Sequence, residues 1–219
     1  WQAGGEWLSP DESEVAFNSA AGVEALQFYV DMVHKHKVTP MKAIDNLSMG
    51  TEFETGNIGH MTLYAMWVVR AKVMKFPVRT AKLPRHKGEA TGTGMGVVPI
   101  FKDAKRKEEA WTFLDWLMKP ANAIEWNRGL GNLPTRLSLR LEPAWKQVVK
   151  ENPLIEPFAE GLPTARLEYV GPGALEIAKV VAVGIEGAVF GQKSAKQALD
   201  EAAKEANEIL KRERAKARG

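Results

Sequence analysis

The sequence predicts an α/β chain, with short runs of strand character scattered among longer stretches of helical periodicity. Three observations carry this. Val23, Leu26, Val30 and Val33 recur at helical spacing near the start. Residues 58–64, 78–83 and 97–100 read as short strands bounded by Gly and Pro. From Pro172 onward the pattern is helical again.

The elements follow in order. Phe28, Tyr29 and Met32 widen the first apolar face, so a helix is expected over 20–36, ended by Thr39-Pro40. Polar loop or irregular helix should reach Gly50. The buried strand at 58–64 then leads into a helix over 65–74, with Trp67 just past the strand end. A strand at 78–83 is closed by Pro84, and RHKGEATGTGMG forms a glycine loop before the strand carrying Val97, Val98 and Ile100. Asp103 is the expected N-cap of a helix with Ala110, Phe113, Leu114, Leu117 and Met118 on its apolar face. Lys119-Pro120 breaks it, and a second helix runs over 120–128 into the tight loop GLGNLPTR. A third helix covers 143–150, followed by the proline-rich 153–163. Pro172 opens a helix to Phe190 that is apolar almost all round and should be packed on most sides. Ser194 and Gln197 have capping-box spacing, and Leu199, Ala202, Ala206, Ile209 and Leu210 form the buried stripe of the last helix.

Composition limits the function classes. The 219 residues are 45% hydrophobic and 26% charged, enough for one large or two small cores. Thirty Lys and Arg stand against 27 Asp and Glu with no basic stripe interleaved with aromatics, so nucleic acid is not an expected partner. The terminal KRERAKARG reads as a solvated helix end. Without cysteine, disulfide and thiolate chemistry are excluded. No run approaches the roughly 20 apolar residues of a membrane-spanning helix. The start Trp1-Gln2-Ala3-Gly4, with neither Met nor signal peptide, leads to the expectation of a processed chain or a piece of a longer one.

No motif for metal or nucleophile chemistry emerges. His34 and His36 face different ways on a helix, and His60 and His86 have no ligand partner at metal spacing. TGTGMG lacks the GK[ST] of a phosphate loop and the full dinucleotide fingerprint, and GxSxG is absent. Neither a cofactor nor a metal is expected. Asp31, Glu52, Glu54, Glu160, Glu168 and Glu176 leave a two-carboxylate glycoside chemistry open, though charged helix faces and loop acids explain most of them without any catalysis. Among seven tryptophans, Trp111, Trp116 and Trp126 fit a helical core. Trp67 sits at a strand end, where α/β folds place ligands; packing and stacking on a sugar ring both fit it.

Several stretches are similar to one family. GVEALQFYVDMV (22–33), FETGNIGHMTLYAMW (53–67), AKLP (81–84), GVVPIFKDAKRKEEAWTFLDWLMKPANAIEWNRGLGNLPTR (96–136) and FGQKSAKQALDEAAKEANEIL (190–210) resemble, in order, the C-terminal half of the extracellular solute-binding proteins of ABC importers. The branch is that of maltodextrin- and glycerol-phosphate-binding proteins. The resemblance implies a periplasmic-binding-protein-like α/β fold of the type II, Venus-flytrap kind, here mostly one lobe with a segment of the other. Residues 1–90 and 143–219 would belong to the second lobe and 91–142 to the first. The rest of the first lobe would be a missing N-terminal part of the same protein, leaving an apolar helix face of the middle segment uncovered.

By the same resemblance, Trp67 matches a stacking tryptophan with Tyr64 beside it, and Thr93 and Gly94 match backbone that approaches the solute at a lobe crossing. Asn132 stands where glycerol-phosphate-binding relatives carry tyrosine. Ala178 stands where relatives carry tryptophan or arginine, with Tyr169, Gly171 and Glu176 as nearby compensating candidates. The implied function is non-enzymatic: capture of a sugar, oligosaccharide or related polyol for import, with ABC permease subunits as partners and a periplasmic or extracellular, lipid-anchored or secreted location. The alternatives are a glycerol-phosphate or phosphodiester receptor of the same fold, a carbohydrate-active enzyme, and a purely structural helical module.

Overall fold

Helices dominate the computed structural model, which describes residues 1–41, 46–94 and 96–218. In chain order they are α1 (Ala20–His34), α2 (Asn46–Glu54), α3 (Lys107–Leu117), α4 (Pro120–Leu130), α5 (Pro143–Glu151), α6 (Glu156–Gly161), α7 (Ala174–Val189) and α8 (Ala195–Arg218). Shorter 3₁₀ helices lie between them, the longest at Ala65–Val73. Among the described residues the strands are β1 (Thr91–Thr93) and β2 (Ala165–Leu167), paired in a two-stranded sheet.

The expected strands at 58–64, 78–83 and 97–100 are instead irregular. A strand exists only where its N–H and C=O groups meet a neighbouring strand, and apolar content cannot supply that neighbour. Val97 and Val98 are 73% and 57% exposed, so burial does not enforce an extended ladder there either. Residues 42–45 of the expected loop to Gly50, and Met95 of the glycine loop, lie outside the described residues.

The chain divides into two compact units. The first comprises Trp1–Thr55, Pro84–Gly92 and Arg166–Gly219; the second comprises Gly56–Leu83 and Thr93–Ala165. These packing units do not follow the lobe boundaries implied by the resemblance, which concern a longer protein. Each change of unit at 92/93 and 165/166 falls within a strand.

The first unit is built on α1, α7 and α8. Ser19 caps α1 by accepting from the Gly22 amide at 3.4 Å. The stripe expected on α8 is buried: Leu199, Ala202, Ala206, Ile209 and Leu210 are all at most 5% exposed. It packs on Ile177, Val181 and Ala188 of α7. The two helices approach closely because Gly184 faces Ala198, where an added Cβ would lie 3.0 Å from the Ala198 carbonyl oxygen. The capping box is formed: the Gln197 amide donates to Ser194 Oγ and the Ser194 amide to Gln197 Oε1, both at 3.2 Å.

Two expectations for this unit need correction. Gly173, in the left-handed region, precedes the first turn of α7, so Pro172 lies outside the helix. Nor is α7 packed on most sides: Leu175 and Val183 are 81% and 68% exposed, because within this unit only the face toward α1 and α8 is covered.

Both ends of the chain meet in this unit. The Val15 amide donates to Asn207 Oδ1 at 2.8 Å, and Asn18 Nδ2 donates to Asp200 Oδ1 at 3.1 Å. Residues 84–92 are pinned by the Gln2 carbonyl, which accepts from the Lys87 and Gly88 amides at 3.0 and 3.2 Å. Gln2 Nε2 also donates to the Ala90 carbonyl at 2.9 Å. His86 and Lys87 converge on the Glu24 carboxylate of α1 at 2.7 and 2.5 Å.

The second unit closes around Ala123, Ile124, Leu139, Trp145, Val148 and Ile155. Ile124 and Ile155, 2% and 1% exposed, each contribute about 1.5–3 kcal/mol through burial. Pro153, Pro157 and Pro163 each sit in the first turn of a short helix, so the proline-rich stretch folds as successive helical turns. Asp103 does not cap α3: a turn from the Ala104 amide to the Phe101 carbonyl intervenes, and α3 starts at Lys107 behind an Arg106 without a side-chain cap. Trp111, Trp116 and Trp126, expected in a core, are 64%, 52% and 50% exposed. Helical periodicity identifies a face that gains from burial but does not provide the element that covers it.

Candidate functional site

Trp67 lies in the 3₁₀ helix Ala65–Val73, which starts where residues 58–64 leave off. Val68 is 3% exposed and anchors this helix, whereas Trp67 is half-buried. Three residues per turn bring positions i and i+3 into line, so Tyr64, Trp67 and Arg70 fall on successive turns. Tyr64 holds the N-cap position, 48% exposed, and its carbonyl accepts from the Trp67 amide at 3.1 Å. The Arg70 guanidinium rests over the indole, 5.1 Å from the ring centroid.

The second wall comes from the end of α4. Gly131 terminates α4 in the left-handed conformation (φ 70°), which glycine adopts without a Cβ penalty. Its backbone presses on the 3₁₀ helix: an added Cβ would lie 3.0 Å from Val69 Cγ1 and 3.2 Å from the Met66 carbonyl oxygen. Met66, Trp67, Val69, Arg70, Gly129 and Leu130 thereby line a shallow groove of about 340 Å³. Asn132 follows directly, exposed, with its amide donating to the Asn127 carbonyl at 3.0 Å. Arg128 is engaged by Glu125 at 3.3 Å and Glu151 at 3.4 Å.

The other expected residues do not line this groove. Thr93 ends β1, and an added Cβ at Gly94 would meet nothing within 4 Å, so the backbone there is open to an approaching group. Tyr169 belongs to the first unit, where its hydroxyl donates to the Pro172 carbonyl at 2.9 Å. Burial raises its phenol pKa, and Gly171 is pressed against its ring. Glu176 is bound to Arg212 at 2.5 Å, a pair that ties α7 to α8. Ala178, in the same helix, is exposed.

Glu6, Asp11, Glu24, Glu109, Asp200 and Glu213 all have lowered pKa values, through hydrogen bonds to cationic or hydroxyl partners first of all. Among the described residues no group of three His, Cys, Asp or Glu is placed to hold a metal ion, and no helix is long and apolar enough to cross a membrane.

Sequence reasoning missed Arg70, Met66 and the Gly129–Leu130 wall. The signal for Arg70 was present in its spacing of three from Trp67 on a segment expected to be helical. The wall carried no local signal, because it depends on the left-handed turn at Gly131 bringing α4 against the 3₁₀ helix.

Comparison with known proteins bears on this geometry. Residues 1–156 match the family described as bacterial extracellular solute-binding protein. A binding protein of Brucella abortus is 26% identical over 218 residues, covering 97% of this chain and 52% of its own length. The sn-glycerol-3-phosphate-binding periplasmic protein of Escherichia coli K12 is 28% identical over 155 residues, covering 54% of this chain and 33% of its own. The crystal structure of the cyclic α-maltosyl-1,6-maltose binding protein from Arthrobacter globiformis superposes with a TM-score of 0.81 at 31% identity, covering 97% of this chain and 54% of that one. The chain thus spans about half the length of the relatives it matches end to end.

Proposed function

The chain belongs to the bacterial extracellular solute-binding proteins, and we propose that it is part of a receptor that captures a sugar, oligosaccharide or related polyol for an ABC importer. Its fold is the helix-rich α/β fold of the periplasmic sugar-binding proteins. The observation that carries the reading is the half-exposed Trp67 platform on a 3₁₀ helix, walled by the glycine-terminated end of α4. An indole face offers stacking area to a sugar ring, and backbone groups beside it supply hydrogen bonds.

Binding without catalysis fits the family. The location is periplasmic or extracellular, as a lipid-anchored or secreted protein, and the partners are permease subunits. We assign 1–90 and 143–219 to one lobe and 91–142 to the other, with Tyr64, Thr93, Gly94, Asn132, Tyr169 and Glu176 contributing beside Trp67 once the lobes close over the solute. Solute capture is a property of the longer protein. This stretch alone binds weakly, because it spans about half the length of the relatives that it matches.

A glycerol-phosphate or phosphodiester ligand is the second reading, favoured by the E. coli relative. The test is titration of the full-length protein with maltose, maltotriose and sn-glycerol 3-phosphate, followed by calorimetry and by product analysis. Saturable binding with unchanged ligand supports a receptor; sugar hydrolysis would establish an enzyme instead.

A further inference from the structure

The 3₁₀ helix that carries Trp67 brings two rows of side chains to the groove. Three residues per turn align Trp67 with Arg70, and the same geometry aligns Met66 with Val69 as an aliphatic row beside them. Leu130, the last residue of α4, lines the groove with that row. Met66 and Leu130 are 52% and 41% exposed, so the unit that holds them leaves this aliphatic wall unfilled. The Gly131 backbone, pressed against Met66 and Val69, fixes where the wall stands. Met66, Val69 and Leu130 bring no hydroxyl, amide or charge to it, and Gly129 brings no side chain.

Resting on the receptor reading above, we infer that this site takes a glycoside with a short aliphatic substituent, its sugar ring stacked on Trp67 and its substituent laid along Met66, Val69 and Leu130. The wall and the indole line one groove, so a solute stacked on Trp67 reaches the wall with the part that projects from its ring. A sugar hydroxyl placed there would give up water without a side-chain partner, whereas each methylene gains by leaving water. The groove measures about 340 Å³, at the small end for ligand sites, which limits the substituent to a short chain. Leu130 is then a specificity-determining residue, acting on the substituent and not on the ring.

The test is calorimetric titration of the full-length protein with the methyl, ethyl, propyl and butyl β-glycosides of glucose and of maltose, beside unsubstituted maltose. Affinity is expected to rise about twofold or more with each added methylene in at least one of the two series, short of the fourfold of complete burial. In the Leu130→Gln variant, which keeps the length of the side chain and adds an amide, the ratio of butyl to methyl affinity should fall to half or less of its original value. Matching unfolding midpoints for the two proteins would show that the change is local. Affinity that is flat or falls with chain length, or a rise that persists undiminished in Leu130→Gln, would overturn the inference and leave the receptor reading intact. Absence of binding by maltose and by every glycoside would instead overturn the sugar-receptor reading and this inference with it.

Discussion

Gly131 and Met66 are in backbone contact across the groove, close enough that a Cβ on Gly131 would stand 3.2 Å from the Met66 Cα and carbonyl oxygen. The left-handed φ of 70° adds a second penalty for any side chain. Gly131→Ala is expected to destabilise the protein by about 1–3 kcal/mol, read as a lower urea midpoint with unchanged slope. Because the same contact positions the helix carrying Trp67, solute affinity should fall in parallel.

Trp67→Ala removes the stacking surface while leaving the buried anchor Val68 in place. Solute affinity of the full-length protein should drop about tenfold with the circular dichroism spectrum unchanged. Unaltered affinity in this variant would show that the platform lies elsewhere.

The capping box at the start of α8 gives a stability prediction away from the groove. Ser194→Ala leaves the Gln197 amide without its side-chain acceptor. A loss of about 0.5–2 kcal/mol is expected in denaturant unfolding, with no effect on solute affinity.

The Glu24 carboxylate is held below its ordinary 4.5, first by the Lys87 hydrogen bond and then by His86. A carboxyl with a depressed folded pKa lends stability above its unfolded value, and that contribution is lost as pH falls through the folded one. Glu24→Gln should therefore lower the unfolding midpoint at neutral pH. The difference from the unmodified protein should shrink as pH falls below the ordinary carboxyl value of 4.5 and vanish once the lowered folded value is passed. The pair is exposed, so the effect will be small and will shrink with added salt.

Local patterns made the helices legible. Leu26 and Val33 of α1 and the Leu199–Leu210 stripe of α8 announce their buried faces by spacing alone, and Ser194 with Gln197 announces the cap. The strands at 58–64, 78–83 and 97–100 were misread because pairing depends on a partner far away in sequence. Trp111 and Trp116 failed for a related reason, since an apolar face on α3 does not say what covers it. At the groove, Trp67 was singled out by its position after an expected strand that the structure does not form. Arg70 needed its spacing of three to be taken as geometry, and the α4 wall needed the structure itself.

The hydrogen bond between Val15 and Asn207 spans 192 positions, and it has a consequence in time. Residues 1–55 are synthesised before α7 and α8, the helices that bury Leu26 and Val15. The second unit, drawn from 56–83 and 93–165, can assemble while the opening segment is still waiting for its partners. A nascent chain interrupted near residue 165 would therefore hold the second unit beside an α1 whose apolar face still lacks α7 and α8, a segment open to holding chaperones until those helices follow.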